Sequence, residues 1–348
     1  MRPGPPPTLE PVRTFGVHAG DRLSNHAPFH FDLSIFDLYV ALRAGACVSL
    51  VPDEVSPFPV QLAAWIESDG ISVWYSVPSA LTRLLLHGRL ERFEYRTLRT
   101  VLFAGEVFPV KYLREVMERL AHADFHNLYG PTETNVCTYY SVPRPLAPEV
   151  EEIPIGVACE NTDVVALDES GRAVAPGGEG ELHVRGPALL LGYWNLPDRT
   201  AAAIVPNPLQ PAYHDPLYRT GDIVRLREDG SYAFVGRRDH MVKSRGYRIE
   251  LGEIEQVLHQ HAGVREAAVV AIPDDEVGAR LNAVVAAHNG GLQAAELQKF
   301  CLERLPKYMV PERVVFLDEL PKTSTGKADR VAIAGIVINP PTVQETIA

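Results

Sequence analysis

The stretch His126–Asn135, HNLYGPTETN, places an amide, an aromatic ring, a Gly-Pro bend, two threonine hydroxyls and a carboxylate within nine positions. Gly130-Pro131 forces a tight bend, so Asn127, Tyr129, Thr132 and Glu133 project from it at close quarters. Such a set suits a polar ligand better than a plain turn. The alternative is a helix N-terminus with Thr132 as its cap. Two other stretches invite a phosphate-loop reading and fail it. TSTGK (323–327) lacks the G-x-x-x-x-G-K-[ST] spacing. APGGEGE (175–181) has no lysine and reads as a turn.

These residues need a scaffold, and the whole chain bounds what it can be. Its 348 residues suggest two or three domains, and 46% hydrophobic with 22% charged residues is ordinary for a globular protein. A formal net charge of −11 argues against general nucleic-acid binding, although a few local donors suffice for an anionic ligand. No apolar run approaches the roughly 18 residues that a membrane span needs. The opening MRPGPPPTLEP has no signal-like apolar segment. Cys47, Cys137, Cys159 and Cys301 are scattered without a CxxC, which reads as reduced thiols of a cytoplasmic protein. His26 and His30 stand four apart with no third ligand at a fitting spacing.

Hydrophobic patterning gives the elements. ACVSLV (46–51), ISVWYSV (71–77) and TVLFAG (100–105) read as buried strands, and 58–69, 79–88 and 109–122 as helices, so a parallel sheet in βαβ order is expected. Residues 153–236 turn to short β-rich pieces with Gly and Pro turns, which predict a small antiparallel barrel or sheet. GRRDHMVKSRG (236–246) is dense in charge and reads as a linker. LGEIEQVLHQH, REAAVVAI, LNAVVAAH, AELQKFCLERL and ERVVFL then give αββαβ, a small α+β domain.

In order, FDLS (31–34), NLYGPTE (127–133), GELHVRG…LGYW (180–194), YRTGD (218–222), GRRDHMVKSRGYRIELGEIE (236–255), LPKYMVP (305–311) and TSTGKADR (323–330) resemble the motifs of the adenylate-forming superfamily. Its members include acyl- and aryl-CoA synthetases, luciferases and the adenylation domains of nonribosomal peptide synthetases. The resemblance implies an α/β core, made of a parallel subdomain and a small β-barrel, followed by a hinged α+β C-terminal domain. The expected divisions are a non-family, disordered start at 1–11, a core at 12–237, a hinge at 238–242, a lid at 243–335 and a tail at 336–348. It also implies ATP and Mg²⁺ as cofactors. Tyr129 would stack on adenine, Asn127 would face the adenine edge, and Gly130 and Phe234 would complete the nucleotide site. Thr132 would hold the α-phosphate and Glu133 the metal. Asp222 would clamp both ribose hydroxyls, with Arg237 in support. Lys327 would stabilise charge developing as the acyl-adenylate forms. Rotation about Asp239 would then withdraw Lys327 and turn Lys243 and Gly246 toward an incoming phosphopantetheine thiol. Glu253 and Glu255, at a helix start, read as structural.

Asp32 points to the acid. Peptide-synthetase adenylation domains place an aspartate here for the substrate's α-ammonium, and a buried carboxylate demands a cationic partner. Its plainer reading is a strand-end or cap aspartate. By the resemblance, Leu33, Phe36, Ser76, Leu102, Ala104, Leu128, Val136 and Cys137 line the pocket with one hydroxyl and no second charge. That suits a small neutral amino acid such as proline or alanine, delivered to a carrier protein in trans. The other readings are an acyl- or aryl-CoA synthetase, and an inactive fragment that binds nucleotide or carrier. The family's first third, with its Gly- and Ser/Thr-rich phosphate loop, has no counterpart in these 348 residues. The expectation is therefore impaired adenylation by the chain alone, with apolar surface exposed on the faces of the 44–127 sheet.

Overall fold

The computed structural model describes residues 9–238, 241–288, 291–322 and 328–339. Two compact units divide between residues 239 and 240.

The first unit is built on a seven-stranded sheet in the order β2-β1-β3-β4-β5-β6-β7. The strands are β1 (Arg22–Asn25), β2 (Cys47–Leu50), β3 (Val73–Ser76), β4 (Thr100–Ala104), β5 (Asp124–Tyr129), β6 (Thr138–Ser141) and β7 (Val157–Ala158). β1 to β5 pair in parallel, while β6 and β7 continue antiparallel. Side chains divide by parity, as successive residues of a strand point to opposite faces. Trp74, Val101, Phe103 and Phe125 join the helices Pro59–Ser68, Pro78–His87 and Val110–Arg119 in one core. Val73, Tyr75, Leu102, Ala104 and Leu128 face the other way, onto Leu33, Phe36, Val40 and Phe15.

Both faces of the central strands are thus covered, and every residue of β3 and β4 is buried. This corrects the expectation of an open apolar sheet face. Near the β2 edge and the preceding segment, Phe29, Tyr39, Leu42 and Leu50 are exposed, while other exposed apolar side chains, among them Leu191 and Trp194, lie away from this sheet. A second correction concerns the start: residues 9–11 belong to the helix Leu9–Thr14, and residues 1–8 lie outside the described part.

Of barrel and sheet, the 153–236 region forms a sheet. β8 (Asp163–Leu167), β9 (Glu179–Arg185), β10 (Ile204–Pro206), β11 (Pro216–Leu226) and β12 (Tyr232–Arg237) pair antiparallel in the order β10-β11-β9-β8, with β12 also on β11. Its inner face packs Ala166, Leu182, Val184, Val224 and Tyr232 against Tyr129 of β5 and Cys137 of the loop that precedes β6.

In the second unit, β13 (Met241–Ser244) and β14 (Tyr247–Glu250) make a hairpin in which Lys243 stands opposite Arg248. Its two turn residues, Arg245 and Gly246, have φ of 52° and 81°. This sign at both positions is what a two-residue type I′ loop requires. The supposed linker 236–246 is therefore strand on both sides of residues 239–240. Met241, placed by sequence in the hinge, is buried. β15 (Val264–Asp274), β16 (Gly278–Ala287) and β17 (Arg313–Phe316) form the main sheet. Helices Leu251–His259 and Ala294–Leu302 cover one face. Helix Arg330–Ile338 covers the other and buries Ile333 and Val337. Residues 336–338 thus belong to the domain and not to a tail. Glu255 accepts from the Val269 amide at 2.7 Å and pairs with Arg330 at 2.7 Å, which gives it a structural role.

Candidate active site

The 130–137 segment is a loop between β5 and β6 and not a helix N-terminus. Backbone bonds close it: the Cys137 amide donates to the Tyr129 carbonyl at 2.8 Å and the Thr134 amide to Pro131 at 3.0 Å. Glycine is required at position 130, because a Cβ there would lie 1.8 Å from the Asn135 carbonyl oxygen. The bend is therefore a backbone crossing, and it fixes where Thr132 and Glu133 stand.

Thr132 is exposed, and its hydroxyl donates to Asp32 Oδ2 at 2.5 Å. Asp32 immediately precedes the short helix Leu33–Ile35 yet makes no capping hydrogen bond. Its carboxylate is turned across to the loop. Glu133 Oε1 accepts from the Tyr193 hydroxyl at 2.6 Å, and the Glu133 carbonyl accepts from the Leu190 amide. LGYW (191–194) thus supports the loop. Among the described residues, no three His, Cys, Asp or Glu side chains gather into a metal-holding group. The single hard-oxygen donor Glu133 fits Mg²⁺, which is commonly held by one or two carboxylates and completes its shell with water and phosphate oxygens.

On the far side of β5, Tyr129 and Arg237 converge on Asp222. The Tyr129 hydroxyl donates to Asp222 Oδ2, and Arg237 donates to Asp222 Oδ1 at 2.6 Å and to the Thr220 carbonyl at 3.1 Å. The carboxylate is 2% exposed. Burial, and then the charge of Asp222, push the Tyr129 phenol well above its usual pKa, so it stays protonated and donating. A carboxylate offers about four lone-pair directions, so two donors leave acceptor capacity for two ribose hydroxyls. The Tyr129 ring is only 5% exposed and packs with Cys137, Ile155 and Leu182. Here it serves as a core residue with a polar tip, and the stacking expected of it has little open face to use. Asn127 is buried and gives its amide to the Pro154 carbonyl at 2.8 Å, so that donor ties β5 to the following chain. Phe234 packs half-buried on the same cluster.

The expected substrate residues divide. Leu33, Phe36, Leu102, Ala104 and Leu128 share one cluster, with Val136 packed against it. Phe36, Leu128 and Val136 line a cavity of about 320 Å³, together with Phe15, Val40 and Tyr139, which the motifs did not name. Two residues are corrected. Cys137 is fully buried in the cluster on the other side, with Tyr129. Ser76 is also buried, its hydroxyl accepting from the Trp74 indole at 2.8 Å. The pocket is not free of a second charge either, since Glu160 stands at its wall.

In the second unit, Lys243 is half-buried on its hairpin, and Gly246 is buried at the turn. The positive φ of the turn favours glycine there. Asp239 and Lys327 lie outside the described residues.

The chain belongs to the AMP-binding enzyme family, whose model matches residues 8–194; the model of the AMP-binding enzyme C-terminal domain matches 253–327. The match at 8 places part of the proline-rich opening within the family pattern. The chain is 44% identical over 316 residues to an L-proline–[L-prolyl-carrier protein] ligase of Pseudomonas fluorescens, covering 90% of this chain and 60% of the relative. It is 42% identical to a ligase of the same description from Streptomyces coelicolor, over 90% of this chain and 58% of that one. Among solved structures, the Vibrio cholerae adenylation domain AlmE, in complex with glycyl-adenosine-5′-phosphate, superposes with a TM-score of 0.82 at 28% identity. That match covers 95% of this chain and 61% of the AlmE chain. The chain thus spans about 60% of the length of the curated relatives it matches.

Proposed function

We propose that this chain carries the amino-acid and nucleotide sites of an amino-acid-adenylating ligase. Its substrate is a small neutral amino acid of the proline or alanine kind, activated by ATP and passed to a carrier-protein phosphopantetheine thiol. The carrying observation is the Thr132–Asp32 hydrogen bond at 2.5 Å. In an amino acid the ammonium and carboxylate share one carbon. A group that holds the ammonium must therefore neighbour the group that holds the phosphorus under attack. Asp32 and Thr132 meet that condition across a hundred residues of sequence.

In the first step a substrate carboxylate oxygen attacks the α-phosphorus, the bond to the pyrophosphate oxygen breaks, and an aminoacyl-adenylate forms. Asp32 orients the ammonium, Thr132 donates to the α-phosphate, and Asp222, backed by Arg237, accepts from the ribose hydroxyls. Glu133 would hold Mg²⁺, which supplies charge neutralisation at the phosphates when bound. Lys327 is assigned to the same developing charge. In the second step the carrier thiolate attacks the acyl carbon and AMP leaves. Asp239, Lys243 and Gly246 belong to that step. The relatives are L-proline–[L-prolyl-carrier protein] ligases, which supports the same substrate class.

The test uses a non-hydrolysable prolyl-adenylate analogue, which carries every group these residues touch and no β- or γ-phosphate. The purified chain should bind it more tightly than its des-amino counterpart. Equal affinity for the two favours an acyl- or aryl-CoA synthetase and removes the amino-acid reading.

A further inference from the structure

The pairing of β9 with β11 is broken at one place. Arg219 stands opposite His183 and Ile223 opposite Glu181, so Thr220, Gly221 and Asp222 together face the single residue Leu182. An extra residue in one strand ordinarily leaves backbone groups without ladder partners and re-aims the side chains there. Here side chains replace the ladder. The Thr220 hydroxyl donates to the Leu182 carbonyl at 2.8 Å, and the Asp222 amide donates to Thr220 Oγ1 at 3.0 Å. The Gly221 amide donates to Glu181 Oε1 at 3.2 Å, and the Gly221 carbonyl accepts from the Arg238 amide at 2.8 Å. Gly221 has φ of 74°, a conformation that lets the chain turn Asp222 inward.

Glu181 holds this bulge from three sides. One oxygen takes the apex amide of Gly221. The other accepts from Arg219, the residue before the bulge, at 3.1 Å, and from Arg238 at 2.9 Å. Arg238 directly follows Arg237, which binds the Asp222 carboxylate. Glu181 is itself buried, although both arginines are partly exposed. A carboxylate present only to neutralise two arginines would need no bond to a backbone amide.

We infer that Glu181 is a positioning residue for nucleotide recognition: it fixes the bulge that aims the Asp222 carboxylate, without touching Asp222 or the ligand. The inference rests on the reading of Asp222 as the ribose clamp. It adds a residue whose position in GELHVRG carries no assigned contact.

The experiment compares AMP with 2′,3′-dideoxy-AMP, titrated against the purified full chain by ligand-observed NMR. The unsubstituted chain should prefer AMP by about tenfold, as expected for hydroxyls donating to a buried carboxylate. Glu181→Asp keeps the charge for both arginines but withdraws the carboxylate by about one bond length, out of reach of the Gly221 amide. It should bring the preference to within about twofold while leaving affinity for the dideoxy nucleotide unchanged. Glu181→Gln keeps the reach without the charge and should retain most of the preference. Full preference in Glu181→Asp, or equal weakening of both nucleotides, overturns the positioning role. Asp222→Ala separates the two ideas. If it leaves the preference intact, or if the unsubstituted chain has none, the ribose reading itself fails and the inference falls with it.

Discussion

Thr132 and Asp32, a hundred positions apart, are joined by a hydrogen bond of 2.5 Å between hydroxyl and carboxylate. The bond crosses from the loop after β5 to the helical segment that follows β1. Neither residue is held by secondary structure of its own. The crossing at Gly130 sets one of them and the turn into the Leu33–Ile35 helix sets the other. The contact therefore reports whether both segments are correctly placed, and the proposed substrate would sit against it.

Asp32→Asn should weaken the prolyl-adenylate analogue by roughly 2–3 kcal/mol, the cost of removing one charge from a close cation–carboxylate pair. Asparagine can still accept from Thr132, so the loop should stay in place. The des-amino analogue should then bind as before. An Asp32→Asn chain that loses both analogues equally would show the carboxylate acting on the loop and not on the ammonium.

Tyr129 and Asp222 should prove coupled in stability. The hydroxyl donates to a buried, charged acceptor, so Tyr129→Phe should cost about 1.5–3 kcal/mol. In an Asp222→Ala background the same change should cost markedly less, because its charged acceptor is gone and only the contact with the Thr220 hydroxyl remains. Urea denaturation of the four proteins gives the coupling directly. Additive losses would mean that the phenol finds its stabilisation elsewhere.

The scaffold was legible because its signals are local. ISVWYSV and TVLFAG are apolar without alternation, as strands covered on both faces must be, and they became β3 and β4. Charge density misled at 236–246, since a hairpin needs few apolar residues of its own once Ile249 is buried in the core of the unit. The candidate site can be named by residue type but not by contact. Asp32, Thr132 and Asp222 follow from their motifs, whereas the bond between the first two depends on how distant segments meet. Cys137 was misplaced because it adjoins Val136, and neighbours in extended chain point to opposite sides. Glu181 gave no signal: in GELHVRG it alternates like an outward-facing strand residue, and only the three-against-one pairing of β11 shows what it holds.

Gly130→Ala should disturb the loop more than a glycine-to-alanine change usually does. The added carbon meets a backbone oxygen at 1.8 Å, which no rotamer relieves. Relaxation must move the 130–137 crossing, at a cost of about 1–3 kcal/mol in stability. Because the crossing sets Thr132, affinity for the prolyl-adenylate analogue should fall as well. Unchanged affinity in a destabilised Gly130→Ala chain would show that Thr132 is positioned independently of the crossing.

His26 should make the first unit sensitive to mild acid. Its Nε2 is buried without a hydrogen-bond partner, and the ring lies 5.2 Å from that of Trp74. Burial, followed by the nearby Arg83 cation, holds its pKa at about 4 against an ordinary 6.5. The folded protein therefore keeps the ring neutral, while the unfolded chain takes up a proton below about 6.5. Between those values the unfolded state binds more protons, so stability rises with pH. The contribution is complete above about 6.5 and is lost as pH falls toward 4. At about 1.4 kcal/mol per unit, this group should lower stability by on the order of 2 kcal/mol between pH 6.5 and pH 5. His126 and His183 are also held down chiefly by burial and act with the same sign. The informative comparison is therefore with His26→Phe, which should flatten the slope of urea stability against pH in this window and leave a smaller residual slope. An identical slope in the variant would assign the acid sensitivity to the other histidines.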